Sequence, residues 1–250
     1  MINLKTTREL RYMRDAGKIS QEALLKAGEA VRPGVSTLEL DKIVRRTIEK
    51  AGAVPSFLGY GGFPASACIS VNNVVIHGIP SAHEILKEGD IVSIDVGAIY
   101  EGFNGDNAWT FPCGKVSEEA QKLMDATRES LFLAIEKAVP GNRIGDIGSA
   151  VQQYVEARNY SVVREFVGHG VGAKLHEDPS VPNYGTPGRG VRLLPGMTIA
   201  IEPMINAGGS DVSILGDGWT TVTKDGKLAA HFEHSIAITP DGPVILTSLD

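Results

Sequence analysis

Four acids stand alone in stretches that otherwise read as apolar strands. Asp95 lies in IVSIDVGAIY (91 to 100), Asp106 follows past a Gly-rich turn, Glu202 sits in TIAIEPMI and Glu233 in AHFEHSIAI. Acids are rarely fully buried unless they are paired or bind metal. Within 91 to 100, Val92, Ile94, Val96 and Ala98 share one face, and Ser93, Asp95 and Gly97 the other. Asp95 therefore points toward small residues, as the wall of a cavity would. A turn at Glu101-Gly102 would return the chain so that Asp106 lies nearly opposite Asp95, with Gly105 free to absorb a bulge. Opposed side chains have Cβ atoms about 5 Å apart. Two ionised carboxylates at that distance repel by roughly 3 kcal/mol at an effective dielectric of about 20. Either one is protonated or a cation lies between them. Taken alone, the two acids also fit a blander reading, Asp106 as a turn residue and Asp95 as a hydrogen-bonded acid at a strand end.

The histidines extend the set. His77, His169, His176 and His234 stand in Gly-rich or strand contexts rather than on polar helix faces. In VGHGVGAKLH, Gly168 and Gly170 flank His169 and let the backbone approach a ligand or a neighbouring strand. An imidazole among carboxylates suits a divalent first-row transition metal, whereas oxygen-only sets suit magnesium or calcium. Asp, Asp, His, Glu and Glu are enough ligands for two ions, and paired metals activate water for hydrolysis. Other chemistries lack their motifs: HExxH, GxxxxGK[ST] and Cys-x-x-Cys are all missing. A cysteine hydrolase using Cys68 with His77 has no orienting signature, and Cys68 reads better as a pocket or core residue.

These side chains need a scaffold. With 250 residues and 42% apolar content the chain can bury a large core, and a net charge of -6 without a basic block argues against a nucleic-acid surface. Two cysteines, an amino terminus without an apolar signal core and no long apolar run predict a soluble cytoplasmic protein with no membrane span. An offset of 107 residues recurs. It maps Pro33-Gly34 onto Pro140-Gly141, LKEGDIVSID (86 to 95) onto LLPGMTIAIE (193 to 202), and so Asp95 onto Glu202. Each Pro-Gly pair precedes an amphipathic helix, with Leu40, Ile43, Val44 and Ile48 on one stripe and Ile147, Ala150, Val151 and Val155 on the other. Helices are also predicted over 7 to 30 and 117 to 138, the second capped by Ser117, and strands over 91 to 100, 106 to 111, 197 to 205 and 231 to 238. The expectation is one catalytic domain, 1 to 250, with repeated halves at about 7 to 112 and 117 to 240. Its fold class is α/β of the α+β type, a mainly antiparallel sheet with helices on one side.

The segments SACISVNNVVIHGIP (66 to 80), GDIVSIDVGAIYEGFNGDNAWTF (89 to 111), GHGVGAKLHEDPSVPNYG (168 to 185), PGMTIAIEP (195 to 203) and FEHSIAIT (232 to 239) resemble the type I methionine aminopeptidases, and the likeness covers essentially the whole chain. It implies the pita-bread fold, two pseudo-twofold halves around one curved sheet. It also implies removal of the initiator methionine from new polypeptides whose second residue is small, a metal-activated bridging water attacking the first peptide bond. By the same resemblance Asp95, Asp106, His169, Glu202 and Glu233 are the metal ligands, with Asp106 and Glu233 bridging. His77 and His176 would hydrogen-bond the substrate, and Glu202 would take the water proton. The implied metals are two divalent ions among cobalt, manganese, iron and zinc.

A methionine pocket walled by Tyr60, Phe63, Cys68 and Trp219 follows from the same likeness, soft apolar surface suited to a thioether. Leu175 stands where an aromatic is common and Gly61 where a histidine is common, which alters pocket shape. Asn72, Val74 and Ala229 would hold a sodium or potassium ion by analogy. The short interval between Glu202 and Glu233 leaves no room for the helical insert of type II enzymes. The implied partners are nascent chains, with docking near the ribosomal exit tunnel, for a monomer. Two rivals share the fold: an Xaa-Pro peptidase, which usually carries an extra amino-terminal domain, and a non-catalytic binding protein, which typically loses metal ligands.

Overall fold

The computed structural model describes residues 2–249. Among the described residues four α-helices are formed, α1 (Thr7–Glu29), α2 (Thr37–Lys50), α3 (Glu118–Lys137) and α4 (Ile144–Glu156). Before α3 come strands β1 (Val54–Pro55), β2 (Ala67–Val71), β3 (Val74–Ile76), β4 (Ile91–Tyr100) and β5 (Phe103–Pro112). After α4 follow β6 (Ser161–Val162), β7 (Gly168–Gly170), β8 (Glu177–Val181), β9 (Thr198–Ile201) and β10 (Met204–Asn206). The chain then forms β11 (Val212–Ile214), β12 (Thr221–Thr223), β13 (Ala229–His231), β14 (Glu233–Thr239) and β15 (Gly242–Ile245). Local chemistry starts the helices: Thr6 with Glu9 and Ser36 with Glu39 form capping boxes in the S/T-x-x-E spacing. Ser117 caps α3 by accepting from the Ala120 backbone N–H, but Ala120 at that position cannot return the bond.

Nine strands make the main sheet, in the order β1-β4-β5-β14-β9-β7-β8 with β2 beside β4 and β15 beside β14. Every pairing in it is antiparallel. One face is apolar and carries the helices. Val92, Ile94, Val96 and Ala98 pack with Leu24, Leu40, Val44 and Ile48 of α1 and α2. Ile199, Ile201, Ile236 and Ile238 pack with Leu123, Leu131, Ile147 and Val151 of α3 and α4. The alternation of a strand then sends residues of the other parity, Asp95, Ala200 and Glu233 among them, to the helix-free face. Positions 107 residues apart take like conformations: α2 begins at Thr37 and α4 at Ile144, and isolated bridges join Ser36 to Ile85 and Arg143 to Arg192.

Two expectations about the strands change. The run 197 to 205 splits at Glu202-Pro203 into β9 and β10, and 231 to 238 splits at Phe232 into β13 and β14. The breaks lie side by side. Ile201 pairs with His234 in the main sheet, while Met204 pairs with His231 in a separate three-stranded sheet with β6. Pro203 has no N–H to give a ladder, and its carbonyl instead accepts from Phe232. Both acids thus stand where two strands leave one sheet for another.

The β4–β5 hairpin carries no bulge. Its register runs unbroken from Ile91↔Pro112 to Tyr100↔Phe103, closed by the two-residue turn Glu101-Gly102 with φ of 50° and 79°. Positive φ at both turn residues matches the right-handed twist of the strands and leaves no extra residue to accommodate. Gly105 serves packing instead: a Cβ there would meet the Gly17 nitrogen at 2.4 Å and the Ala16 carbonyl carbon at 2.5 Å. Helix α1 lies directly against this strand, so backbone must move to admit a methyl group. Gly105→Ala is expected to destabilise the fold by about 1–3 kcal/mol, read as a lower urea midpoint at unchanged m-value. An unchanged midpoint would mean that α1 shifts freely over β5.

Candidate metal centre and active site

The register assembles the acids in one rank across the sheet. Cys68 of β2 faces Asp95 of β4, Asp95 faces Ala108 of β5, and Ala108 faces Glu233 of β14. Glu202 follows directly on β9, next to Ile201 and its partner His234. Asp106 pairs with Gly97, not with Asp95. It lies one step along the rank on the same face, diagonal to Asp95, because the tight turn allows no bulge. Ala108 and Gly97, the small residues opposite the two aspartates, leave the volume between the acids open.

His169 enters from β7. Its Nδ1 lies 2.8 Å from the Gly170 carbonyl, which fixes the N–H there and turns the Nε2 lone pair inward. That atom is 3.6 Å from Asp106 Oδ2 and 3.5 Å from Glu202 Oε1. These separations are long for hydrogen bonds. They are close to the roughly 3 Å expected of two atoms that each bind one ion at about 2.1 Å. Ligand atoms of Asp106, His169 and Glu233 lie within 4.8 Å of one another, and so do those of Glu202, His231 and Glu233. Asp95 Oδ1, Asp106 Oδ1 and Glu233 Oε1 are buried without a hydrogen-bond partner. Carboxylate oxygens left unpaired in the interior demand a cation or a proton. The cluster therefore fits a divalent metal.

The electrostatics agree. Burial pushes the Asp95 carboxyl far above the usual range, the Asp106 charge adding to it. Burial raises Asp106 to about 7. Glu202 and Glu233 are raised strongly, first by burial and then by the neighbouring carboxylates. His77 and His169 are lowered to about 4 by burial, with His176 opposing further charge, so both imidazoles are neutral near pH 7. Neutral imidazole is the form that ligates metal or gives a single hydrogen bond.

All eleven residues named as ligands, outer histidines or pocket walls line one cavity of about 150 Å³. His77 lines it with φ of 58°, strained for a residue with a side chain, its ring edge-on to Phe166 and Trp219. The His176 ring lies 4.2 Å from that of His169, tilted by 57°, and its Nδ1 is 2.7 Å from the Tyr60 hydroxyl. The segment carrying His176 is anchored by Glu177, which accepts from Lys5 Nζ at 2.6 Å and from the Lys174 backbone at 3.1 Å. Phe63, Cys68, Leu175 and Phe57 pack as one apolar cluster with Trp219 against it. The Cys68 thiol is raised strongly by burial and by Asp95, which leaves it protonated and removes the cysteine-nucleophile alternative. Gly61 has φ of 57°, and a Cβ there would lie 3.2 Å from Trp219, so its lack of a side chain keeps this wall open.

Some placements were not foreseen. His234 is not in the site: it points to the helix face, its Nδ1 2.9 Å from the Thr247 hydroxyl and its ring against Trp109 and Phe132. His231 takes its place, with Nε2 3.6 Å from Glu202 Oε2. Strand parity carried the signal for His234, which has the parity opposite to Glu233 in β14, whereas His231 lies across the break at Phe232 in the other sheet. Phe57 also joins the wall, and Phe166 meets His77 edge-on. Asn72 and Ala229 are brought together, the Ala229 N–H donating to the Asn72 carbonyl at 2.9 Å, while the Asn72 side-chain oxygen already accepts from Ile91.

Residues 11–240 match the metallopeptidase family M24. The methionine aminopeptidase of Clostridium perfringens is 59% identical over 247 residues, covering 99% of each chain. The chain belongs to the methionine aminopeptidases of family M24. Within that family the crystal structure of the Thermotoga maritima methionine aminopeptidase superposes with a TM-score of 0.98 at 47% identity, covering 99% of this chain and 100% of that one. The pita-bread architecture expected from the sequence is thus the fold of this M24 chain. A prolidase from Pyrococcus furiosus shares the fold alone, with a TM-score of 0.80 at 24% identity, and this chain covers 66% of its length.

Proposed function

We propose that this chain removes the amino-terminal methionine from nascent proteins and peptides whose second residue is small. In this reading the single domain 1 to 250 comprises repeated halves, and Asp95, Asp106, His169, Glu202 and Glu233 hold two divalent ions. The observation that carries it is the joining of a buried acid–histidine cluster to an apolar pocket of thioether size in one cavity. The apolar part of that cavity is walled by Phe63, Cys68, Leu175 and Trp219, soft surface against which a methionine side chain can lie. The bound ions would supply Lewis acidity to the scissile carbonyl and lower the pKa of water.

The protein's own groups do the rest. His77 and His176, kept neutral by burial in the cavity wall, hydrogen-bond the substrate, and the Tyr60 hydroxyl fixes the His176 ring. Glu202 takes the proton of the attacking water and passes it to the amine nitrogen as the C–N bond breaks. His176 donates to the carbonyl oxygen as negative charge develops there. The metal identity among cobalt, manganese, iron and zinc is set by availability as much as by this mixed ligand set. A sodium or potassium ion near Asn72, Val74 and Ala229, a monomeric state, a cytoplasmic location and ribosome docking complete the proposal on kinship. No helix among the described residues is long and apolar enough to cross a membrane.

Peptides discriminate the readings. Metal-loaded protein given Met-Ala-Ser, Met-Leu-Ser and an Xaa-Pro dipeptide is expected to release free methionine from Met-Ala-Ser and to leave the other two. Cleavage confined to the Xaa-Pro substrate would move the chain to prolidase chemistry.

A further inference from the structure

We infer that His231 is a positioning residue for Glu202: its Nε2–H is aimed at Glu202 Oε2 and determines which carboxylate oxygen faces the metals. The inference rests on the metal-site reading proposed above. His231 closes β13 and is 2% exposed, and its Nε2 has no hydrogen-bond partner. An imidazole nitrogen buried without a partner is costly and calls for one nearby. The nearest ionisable oxygen is Glu202 Oε2 at 3.6 Å. A closure of a few tenths of an ångström from that separation makes this a hydrogen bond from the imidazole N–H to the carboxylate.

The backbone of His231 is held for this purpose. The Thr110 hydroxyl accepts from the His231 N–H at 3.0 Å and donates to the His231 carbonyl at 2.8 Å, so one residue of β5 clamps both sides. Glu202 consequently lies between two imidazoles, one per oxygen. Oε1 is turned to His169 Nε2, the nitrogen that also faces Asp106, while Oε2 is turned to His231. An N–H donor satisfies the outward oxygen and leaves Oε1 as the single ligating atom. The Glu202, His231 and Glu233 atoms are also close enough to share an ion. Direct ligation by His231 is therefore the competing arrangement, and experiment separates the two.

Metal-stripped wild type, His231→Leu, His231→Gln and His231→Asn would be titrated with Co²⁺ by calorimetry, with the visible spectrum of bound Co²⁺ recorded for each. Loss of a group that orients a ligand typically weakens metal binding about 10–100-fold, and that loss is expected for His231→Leu. The glutamine amide can reach the same oxygen, so His231→Gln should recover most of the affinity with an unchanged Co²⁺ spectrum. The asparagine amide falls short, so His231→Asn should behave as His231→Leu and carries the test if the leucine variant does not fold. Wild-type affinity in both the leucine and asparagine variants would overturn the inference. A glutamine variant as weak as leucine, with an altered spectrum, would overturn it in favour of direct ligation. Failure of the wild type itself to bind Co²⁺ would remove the metal-site reading and this inference with it.

Discussion

Stripped of metal, the protein should release methionine from Met-Ala-Ser at less than about a thousandth of the rate it shows after Mn²⁺ or Co²⁺ is restored. Lewis-acid activation of carbonyl and water is worth several kcal/mol, and each 1.4 kcal/mol or so is a factor of ten. The residues left behind cannot replace it, because His77 and His169 are neutral and the buried acids hold protons. The same stripping should make stability fall with rising pH. Asp106 titrates near 4 when unfolded and at about 7 when folded without metal, and Asp95, Glu202 and Glu233 are likewise raised strongly. The folded state then binds more protons than the unfolded state, so the contribution of these acids is full at low pH and is lost as pH rises through their folded pKa values.

The histidines work in the opposite direction, but in a different window. His77, His169, His231 and His234 are depressed by burial, so their contribution is lost as pH falls from about 6.5 toward 4. Above about pH 7.5 they are essentially neutral in both states, and the carboxylates alone set the slope. Thermal melts of chelated protein between about pH 7.5 and 9 should therefore show a falling midpoint. Metal-loaded protein should melt higher and with little slope over the same range, since cations that bind the folded state stabilise it and replace the protons. A flat profile for the chelated protein would contradict the account of the acids as a cluster awaiting cations.

Glu202→Gln should lower kcat for Met-Ala-Ser by about 10²–10⁴-fold at saturating metal, with a much smaller change in KM. That range is the usual contribution of a positioned general base. Glutamine keeps the shape of the side chain between His169 and His231 but cannot accept a proton from water or return one to the amine. Removing one carboxylate also weakens metal binding, so the comparison requires Co²⁺ in excess over the variant's own dissociation constant. Pocket contacts made by Phe63, Leu175 and Trp219 are untouched, which is why KM should hold. Activity within tenfold of wild type under those conditions would assign the proton to another group.

Much of this site is legible along the chain because it is written in local patterns. A lone acid in an apolar strand, such as Asp95 or Glu233, is conspicuous against residues that alternate every second position. The 107-residue offset pairs Asp95 with Glu202 without any structure, since like turns and helices recur around both. The two-residue turn at Glu101-Gly102 and the stripes of α2 and α4 are likewise set by neighbours a few positions apart. These features follow from backbone sterics and side-chain polarity, which act locally.

Other features depend on which distant segments meet. Asp106 proved diagonal to Asp95 because the hairpin closed without a bulge, while Gly105 was used for contact with α1 at Ala16-Gly17. The strands around Glu202 and Glu233 break side by side and change sheets, so their register beyond the break could not be extrapolated from alternation. That break brings His231 to Glu202, while His234, of the parity opposite to Glu233 within β14, faces the helices among Trp109, Phe132 and Thr247. The buried acids and the helix-on-one-side architecture were thus readable from residue types and spacing. The partner of Glu202, the diagonal of the aspartates and the pocket wall at Phe57 came from packing between segments far apart in sequence, whose mutual fit no local periodicity encodes.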